Sequence, residues 1–194
     1  MLTRMGGNDN LSGVRILEHN FYPMRPAATG RAPTRALLAK LRATHVIQPK
    51  LNGDRVCLWV ERDDSTYAQH RKGGAYSFMI RNRGQFAKLP AGTVLDGEVF
   101  GGKFYPFEVL RFGDLDLRTN GPEARALLAE RVCRWLGEEW LFAEPTLAQL
   151  DQMATDFPAT RQWEGVVCKR RGSAYRPHAK PTHESPDWFK LKWC

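Results

Sequence analysis

Lysines and carboxylates recur along this sequence in patterns that suit nucleophilic and charge-stabilising chemistry. Lys50 stands at the head of Lys50-Leu51-Asn52-Gly53-Asp54-Arg55, and near the far end Lys190 and Lys192 alternate with Leu191. An amine is a nucleophile only when neutral, and an unperturbed lysine keeps its proton to a pKa of about 10.4. Neighbouring cations and a metal ion disfavour the ammonium form, which makes clustered lysines a way of activating one of them. On a strand, Lys190 and Lys192 point to the same face. Asp96-Gly97-Glu98 likewise sets two carboxylates on alternate residues, so both can face one side of a strand. Glu164 opens the segment Glu164-Gly165-Val166-Val167-Cys168-Lys169, in which the valines are core residues.

These residues need elements to carry them. Apolar spacing predicts a helix over Arg31–Thr44, with Pro33 in its first turn and Leu37, Leu38 and Leu41 on one face. His45–Gln48 reads as a strand that delivers Pro49 and Lys50 into a turn, and Gly53 suits a tight turn where a side chain would block close approach to the backbone. Alternation predicts strands at Arg55–Glu61 and Tyr76–Arg81, with turns at Asp63–Ser65 and Lys72–Gly74. Thr93–Phe100 and Phe104–Phe112 form a hairpin across Gly101-Gly102. Two helices follow. The first runs from Pro122 to about Leu136, capped by Asn120, with Ala124, Leu127, Leu128, Val132 and Trp135 as its stripe. The second spans Thr146–Phe157. Strands return at Gly165–Arg170 and Trp188–Trp193. Strands, helices and then strands, joined by hairpins, give an α+β domain with antiparallel sheets.

Composition narrows the function classes. The chain has 194 residues, 42% hydrophobic and 11% aromatic, enough for one cored domain. A loose polar arm is expected over residues 1–20 and a single domain over 21–194. No run of about 18 apolar residues is present, so a membrane span is not expected, and Met1–Asn10 lacks the apolar stretch of a signal peptide. The four cysteines, Cys57, Cys133, Cys168 and Cys194, form no CxxC pair, which points to a reducing cytoplasm and to neither zinc nor disulfides. A net charge of +8 favours a polyanionic partner.

Four segments in fixed order carry a resemblance: Lys50–Arg55, Asp96–Glu98, Glu164–Lys169 and Trp188-Phe189-Lys190-Leu191-Lys192. Together they resemble the covalent nucleotidyltransferases (ATP-dependent DNA ligases, RNA ligases and mRNA capping enzymes). They are most similar to the adenylation domain of ATP-dependent DNA ligases in a minimal, phage- or virus-like form. The resemblance runs from about Phe21 to the last residue. It implies two antiparallel sheets with flanking helices, with no OB-fold domain expected within these residues. It also implies a Lys50 that attacks the α-phosphate of ATP and carries AMP as a phosphoramidate, with sealing of a 5′-phosphate/3′-hydroxyl nick to follow.

Roles transfer residue by residue. Lys190 and Lys192 match the lysines that hold the α-phosphate and help keep the nucleophile neutral. Arg55 and Glu98 match ribose contacts, with Glu98 also near the metal, and Glu164 matches the carboxylate that holds Mg²⁺ or Mn²⁺. Few carboxylates suffice when phosphate oxygens complete the shell. Lys169 closes that motif in the nucleotide site. Phe107, in Tyr105-Pro106-Phe107-Glu108, matches the aromatic that stacks on adenine. Gln48 stands where relatives have a Glu that reads the adenine amino group, and its amide oxygen can accept the same bond. Arg83, and after it Arg81, match the arginine for the 5′-phosphate of the nick, with Arg170, Arg171 and Arg176 as further phosphate contacts. Asn52 departs from the usual Asp, keeping shape and acceptor but dropping the charge. The resemblance further implies nicked duplex DNA as partner, a separate OB-fold or accessory protein, a cytoplasmic monomer, and work in DNA repair or replication. Two alternatives stand beside the DNA reading: an RNA ligase or RNA-repair enzyme, and a non-catalytic nucleic-acid-binding module on a ligase-like fold.

Overall fold

A computed structural model describes residues 21–177 and 182–193; the arm expected over residues 1–20 lies outside them. Two sheets carry the fold. The first has four strands in the order β1 (Pro26–Ala28), β9 (Ser185–Lys192), β8 (Trp163–Arg170), β2 (His45–Leu51). The second has five: β4 (Thr66–His70), β3 (Asp54–Val60), β5 (Val94–Phe100), β6 (Lys103–Phe112) and β7 (Leu115–Asp116). All pairings are antiparallel except β1 with β9, which is parallel. The first sheet is therefore mixed, a detail that three residues of Pro-Ala-Ala could not announce.

Alternation decides which side chains meet. On β3, Val56, Leu58 and Val60 pack into a core with Leu95, Val109, Ala129 and Val132, while Cys57 and Trp59 turn the other way toward Met24, Leu110, Tyr175 and Trp188. Both faces of β3 are thus buried, as its nearly continuous apolar run requires. The first core is completed by α2 (Arg83–Phe86) and α3 (Pro122–Leu136). On the first sheet, Ile47, Val166, Cys168 and Leu191 pack beneath α1 (Arg35–Leu41) and α4 (Leu147–Thr160). That leaves the alternate residues of β2, β8 and β9 facing inward.

Several local expectations change. Helix α1 starts at Arg35 because the Thr34 hydroxyl caps it by accepting from the Leu37 N–H, which leaves Pro33 outside the helix. Pro49 and Lys50 continue β2 and do not form a turn. Residues 76–81 form no strand; the partner of β3 at that edge is β4, paired from Val56–His70 to Val60–Thr66. Helix α3 is capped by Gly121 with no side-chain bond, and its buried face is Arg125, Ala126, Ala129, Val132 and Cys133, while Leu127 and Trp135 are exposed. Of the expected stripe, Leu128 and Val132 do pack into the core, but the buried face is rotated away from Leu127 and Trp135 because an arginine, Arg125, is turned inward. Helix α4 has a complete capping box between Thr146 and Gln149.

Candidate active site

Between the sheets lies a cavity of about 610 Å³, a size suited to a small ligand. Strand β2 contributes Gln48 and Lys50, β9 contributes Trp188, Lys190 and Lys192, and β8 contributes Glu164, Val167 and Lys169. The second sheet adds Arg55, Glu98 and Phe107, and the chain after β4 adds Arg71 and Lys72. The period of two explains most of this list: Gln48 and Lys50 share a face, as do Trp188, Lys190 and Lys192.

Glu164 is the exception, and a bulge resolves it. In the β2–β8 ladder Lys50 pairs with Gly165 but Leu51 pairs with Trp163, so Glu164 is an unpaired extra residue. Such a bulge re-aims the side chain it carries. Here it turns Glu164 from the face occupied by Val166 and Cys168 into the cavity. There its Oε1 accepts from Lys50 Nζ and its Oε2 from Lys192 Nζ at 2.5 Å. Burial alone would raise the Glu164 carboxyl, but bonds from Lys192 and Lys50 outweigh it and hold the group below the usual carboxylate range. Lys190 stands beside them. Burial, then the charges of Arg25, Lys50 and Lys192, pull its ammonium below the ordinary lysine range.

Gly165 makes the contact possible, a role the sequence reading missed. A Cβ there would lie 2.0 Å from the Leu191 carbonyl oxygen and 2.8 Å from Lys192 Cα, at a φ of +153°. Gly165→Ala should therefore push β8 from β9 beside Lys192, lowering both the melting temperature and any reaction that depends on Glu164. An unchanged melting curve would count against this. Gly53 does need its glycine for a close approach to its backbone: a Cβ would meet the Val99 carbonyl oxygen at 2.3 Å. The close neighbour is the protein's own β5 backbone.

Arg55 also departs from expectation. Its Nε and Nη2 form a bidentate pair with Asp96 at 2.9 and 2.6 Å, Nη1 donates to the Met24 carbonyl at 2.7 Å, and Nη2 reaches Tyr175 Oη at 3.4 Å. Tyr175 Oη in turn donates to Asp96 Oδ2 at 2.7 Å and accepts from the Met24 N–H. The fork expected for ribose is thus taken up by a buried network joining β3, β5, the segment before β1 and the loop after β8. Glu98, two residues on, keeps its carboxyl at the cavity. Burial dominates there, only partly opposed by Lys50 and Arg55, and the carboxyl is raised to about 7. Folding then binds a proton that the unfolded chain releases near pH 4.5, so stability should fall as pH rises from about 5 through 7. Glu98→Gln removes that group, and thermal melts across this range should lose the corresponding part of the slope.

The aromatic floor is built with cations. Lys169 Nζ lies 4.5 Å from the Phe107 ring centre and 4.2 Å from that of Trp188, and donates to Glu108 Oε1 at 2.7 Å. Burial lowers its pKa to about 8 despite Glu108. Phe107 also packs edge-on against Phe142 at 5.5 Å, and Gln48 Nε2 donates weakly to the Phe107 carbonyl at 3.5 Å. The position of Asn52 has a separate explanation: its Nδ2 donates to the Arg161 carbonyl at 2.9 Å, which an Asp carboxylate could not do.

The expected phosphate contacts divide. Arg83 is tied through its guanidinium to Thr66, and Arg81 to the Gly101 carbonyl. Arg171 is clamped by Glu144, Glu123 and the Arg42 carbonyl. Arg170 is 70% exposed and loosely paired with Asp187 at 3.7 Å, and Arg176 is exposed. None of these lines the cavity. The basic residues that do so on the second-sheet side, Arg71 and Lys72, were missed, although a basic pair immediately before Gly73-Gly74 was the available signal. Among the described residues no group of three His, Cys, Asp or Glu side chains is placed to hold a metal ion.

No known protein-family model matches the chain, and no curated protein matches it. Solved structures do. The ligase domain from M. tuberculosis LigD superposes with a TM-score of 0.66 at 20% identity, covering 89% of this chain and 59% of that one. The fold is that of DNA ligase nucleotidyltransferase domains. A mycobacterial DNA ligase D complexed with ATP and MES matches with a TM-score of 0.61 at 18% identity, over 89% of this chain and 60% of its own. A Lig E DNA ligase matches with a TM-score of 0.53 at 12% identity, over 91% and 69%. This chain thus spans about three fifths of the length of the LigD structures.

Proposed function

We propose that this chain is the nucleotidyl-transfer unit of an ATP-dependent polynucleotide ligase acting on nicked DNA. The observation that carries this reading is the shared carboxylate: Glu164 holds Lys50 on one oxygen and Lys192 on the other, inside a cavity floored by Phe107 and Trp188. Phe107 offers the adenine a stacking surface, and Gln48 offers its amide to the base edge. Lys190 and Lys192 receive the phosphates as charge-assisted donors.

Lys50 reacts once its ammonium proton has left. Its Nζ lone pair forms a bond to the α-phosphorus, the bond from that phosphorus to the bridging oxygen breaks, and pyrophosphate departs with that electron pair. The AMP then passes to a 5′-phosphate of DNA, and a 3′-hydroxyl displaces it as the phosphodiester forms. Glu164 and Glu98, both at the cavity, are the carboxylates that would hold Mg²⁺ beside the phosphates, and the cation would offset their negative charge. Arg71 and Lys72 extend the positive surface outward from the lysine cluster.

The test is intact-mass measurement after incubation with ATP and Mg²⁺. A mass gain of one AMP on the wild type that acid removes and alkali preserves is the expected result. Wild-type protein that never gains this mass, under conditions where a control ligase does, removes the reading.

A further inference from the structure

From Ser65 through Leu95 the sequence contains no Asp or Glu but does contain Arg71, Lys72, Arg81, Arg83 and Lys88. At the middle of this stretch Phe78 is 72% exposed and Met79 80% exposed. Two adjacent large apolar side chains in water are a standing cost that folding does nothing to relieve. The segment bearing them is nonetheless well anchored. The Tyr76 N–H donates to the Ala68 carbonyl at 2.8 Å, and Tyr76 Oη donates to Asp54 Oδ2 at 3.1 Å, at the start of β3. The Arg81 N–H donates to the Gly102 carbonyl at 2.8 Å, in the β5–β6 turn. The Phe78 ring leans edge-on against Tyr76 at 5.6 Å. A fixed tip is therefore held out from the second sheet, and Tyr76, on which it leans, lies close enough to feel the charge of Glu98 in the wall of the cavity that Arg71 and Lys72 also line.

The other exposed apolar pair, Leu127 and Trp135 on α3, lies among Glu130, Arg131 and Arg134, which carry both signs. The Phe78–Met79 tip instead belongs to a stretch whose own charged residues are all basic, the nearby Asp54 carboxylate being taken up by Tyr76. That charge pattern selects a polyanion that also offers apolar surface, and nucleic acid offers both: phosphates for the cations, base and sugar faces for the side chains.

We propose that Phe78 and Met79 form an apolar wedge that contacts the base steps or sugars of a nicked duplex at the cavity rim, while Arg71 and Lys72, which line that cavity, hold the flanking phosphates. This rests on the ligase reading for its choice of duplex DNA. The wedge supplies a salt-independent part of the binding, and the cations supply the salt-dependent part.

Fluorescence anisotropy of a labelled nicked duplex, titrated with the whole chain at several salt concentrations, separates the two. F78A/M79A should bind about tenfold more weakly at every salt, with the slope of log affinity against log salt unchanged because no cation is lost. Lys72→Ala should lower that slope by about one, and Phe78→Trp should retain wild-type binding. Both tip residues are exposed, so melting temperatures report that the variants remain folded. Wild-type affinity in the double variant overturns the proposal. So does a wild-type dimer in sedimentation that the double variant dissolves with DNA binding intact, because the tip is then covered by a second copy. The AMP adduct is scored separately: its absence would sink the transfer reading and leave the binding comparison standing.

Discussion

Lys50→Ala will reduce formation of an AMP adduct to background while leaving the protein folded. Loss of the only amine bonded to Glu164 from β2 removes the attacking atom, and no neighbour replaces it: Lys192 approaches from β9 on the opposite oxygen. The fold should survive because Glu164 keeps Lys192 as a partner, so no buried carboxylate is orphaned. Lys50→Arg is the sharper variant. A guanidinium preserves the charge and the ion pair but does not deprotonate at any pH the protein tolerates, so binding of nucleotide should persist while the adduct does not. Intact mass after ATP reads the chemistry, and a thermal shift with added ATP reads the binding. An arginine variant that gains one AMP on the same segment would remove Lys50 from the role of nucleophile.

How much of this was legible before the structure depends on the kind of interaction. Residues whose roles follow from strand period were placed well: Gln48 with Lys50, and Lys190 with Lys192, share faces because alternation is built into the strand. The hairpin across Gly101-Gly102 and the capped helix after Thr146 follow equally local rules. What sequence could not show was where a long side chain spends its hydrogen bonds. Arg55, Arg81, Arg83 and Arg171 read as free cations, yet each guanidinium is taken up by a carboxylate, carbonyl or hydroxyl distant in sequence. The bulge that aims Glu164 was hidden for a related reason: one unpaired residue changes every orientation after it, and nothing in Trp163–Gly165 marks which residue is extra. The buried face of α3 is rotated from the expected stripe because hydropathy sets Arg125 outside, whereas a buried acid on β6 draws it in.

That acid carries the second large expectation. Glu108 is fully buried, with Arg125 Nε on one oxygen at 2.9 Å and Lys169 Nζ on the other at 2.7 Å. Glu108→Ala leaves two buried cations without their counter-ion. Removing one partner of a buried ion pair costs about 3–5 kcal/mol, which for a chain of this size is roughly 6–20 °C in melting temperature. The two cations do not respond alike. Lys169, already lowered to about 8, can escape by losing its proton once Glu108 is gone, whereas Arg125 cannot. The variant should therefore recover part of its lost stability as pH rises from about 6 to 9, because the folded state then no longer holds a charged Lys169. Lys169→Met offers the control. It removes one cation, keeps the Glu108–Arg125 pair, and should cost much less than Glu108→Ala, although it takes the ammonium from between Phe107 and Trp188. If melts across pH show both variants equally destabilised and insensitive to pH, the loss is one of packing volume, and the buried charge has no special part in holding the floor of the cavity.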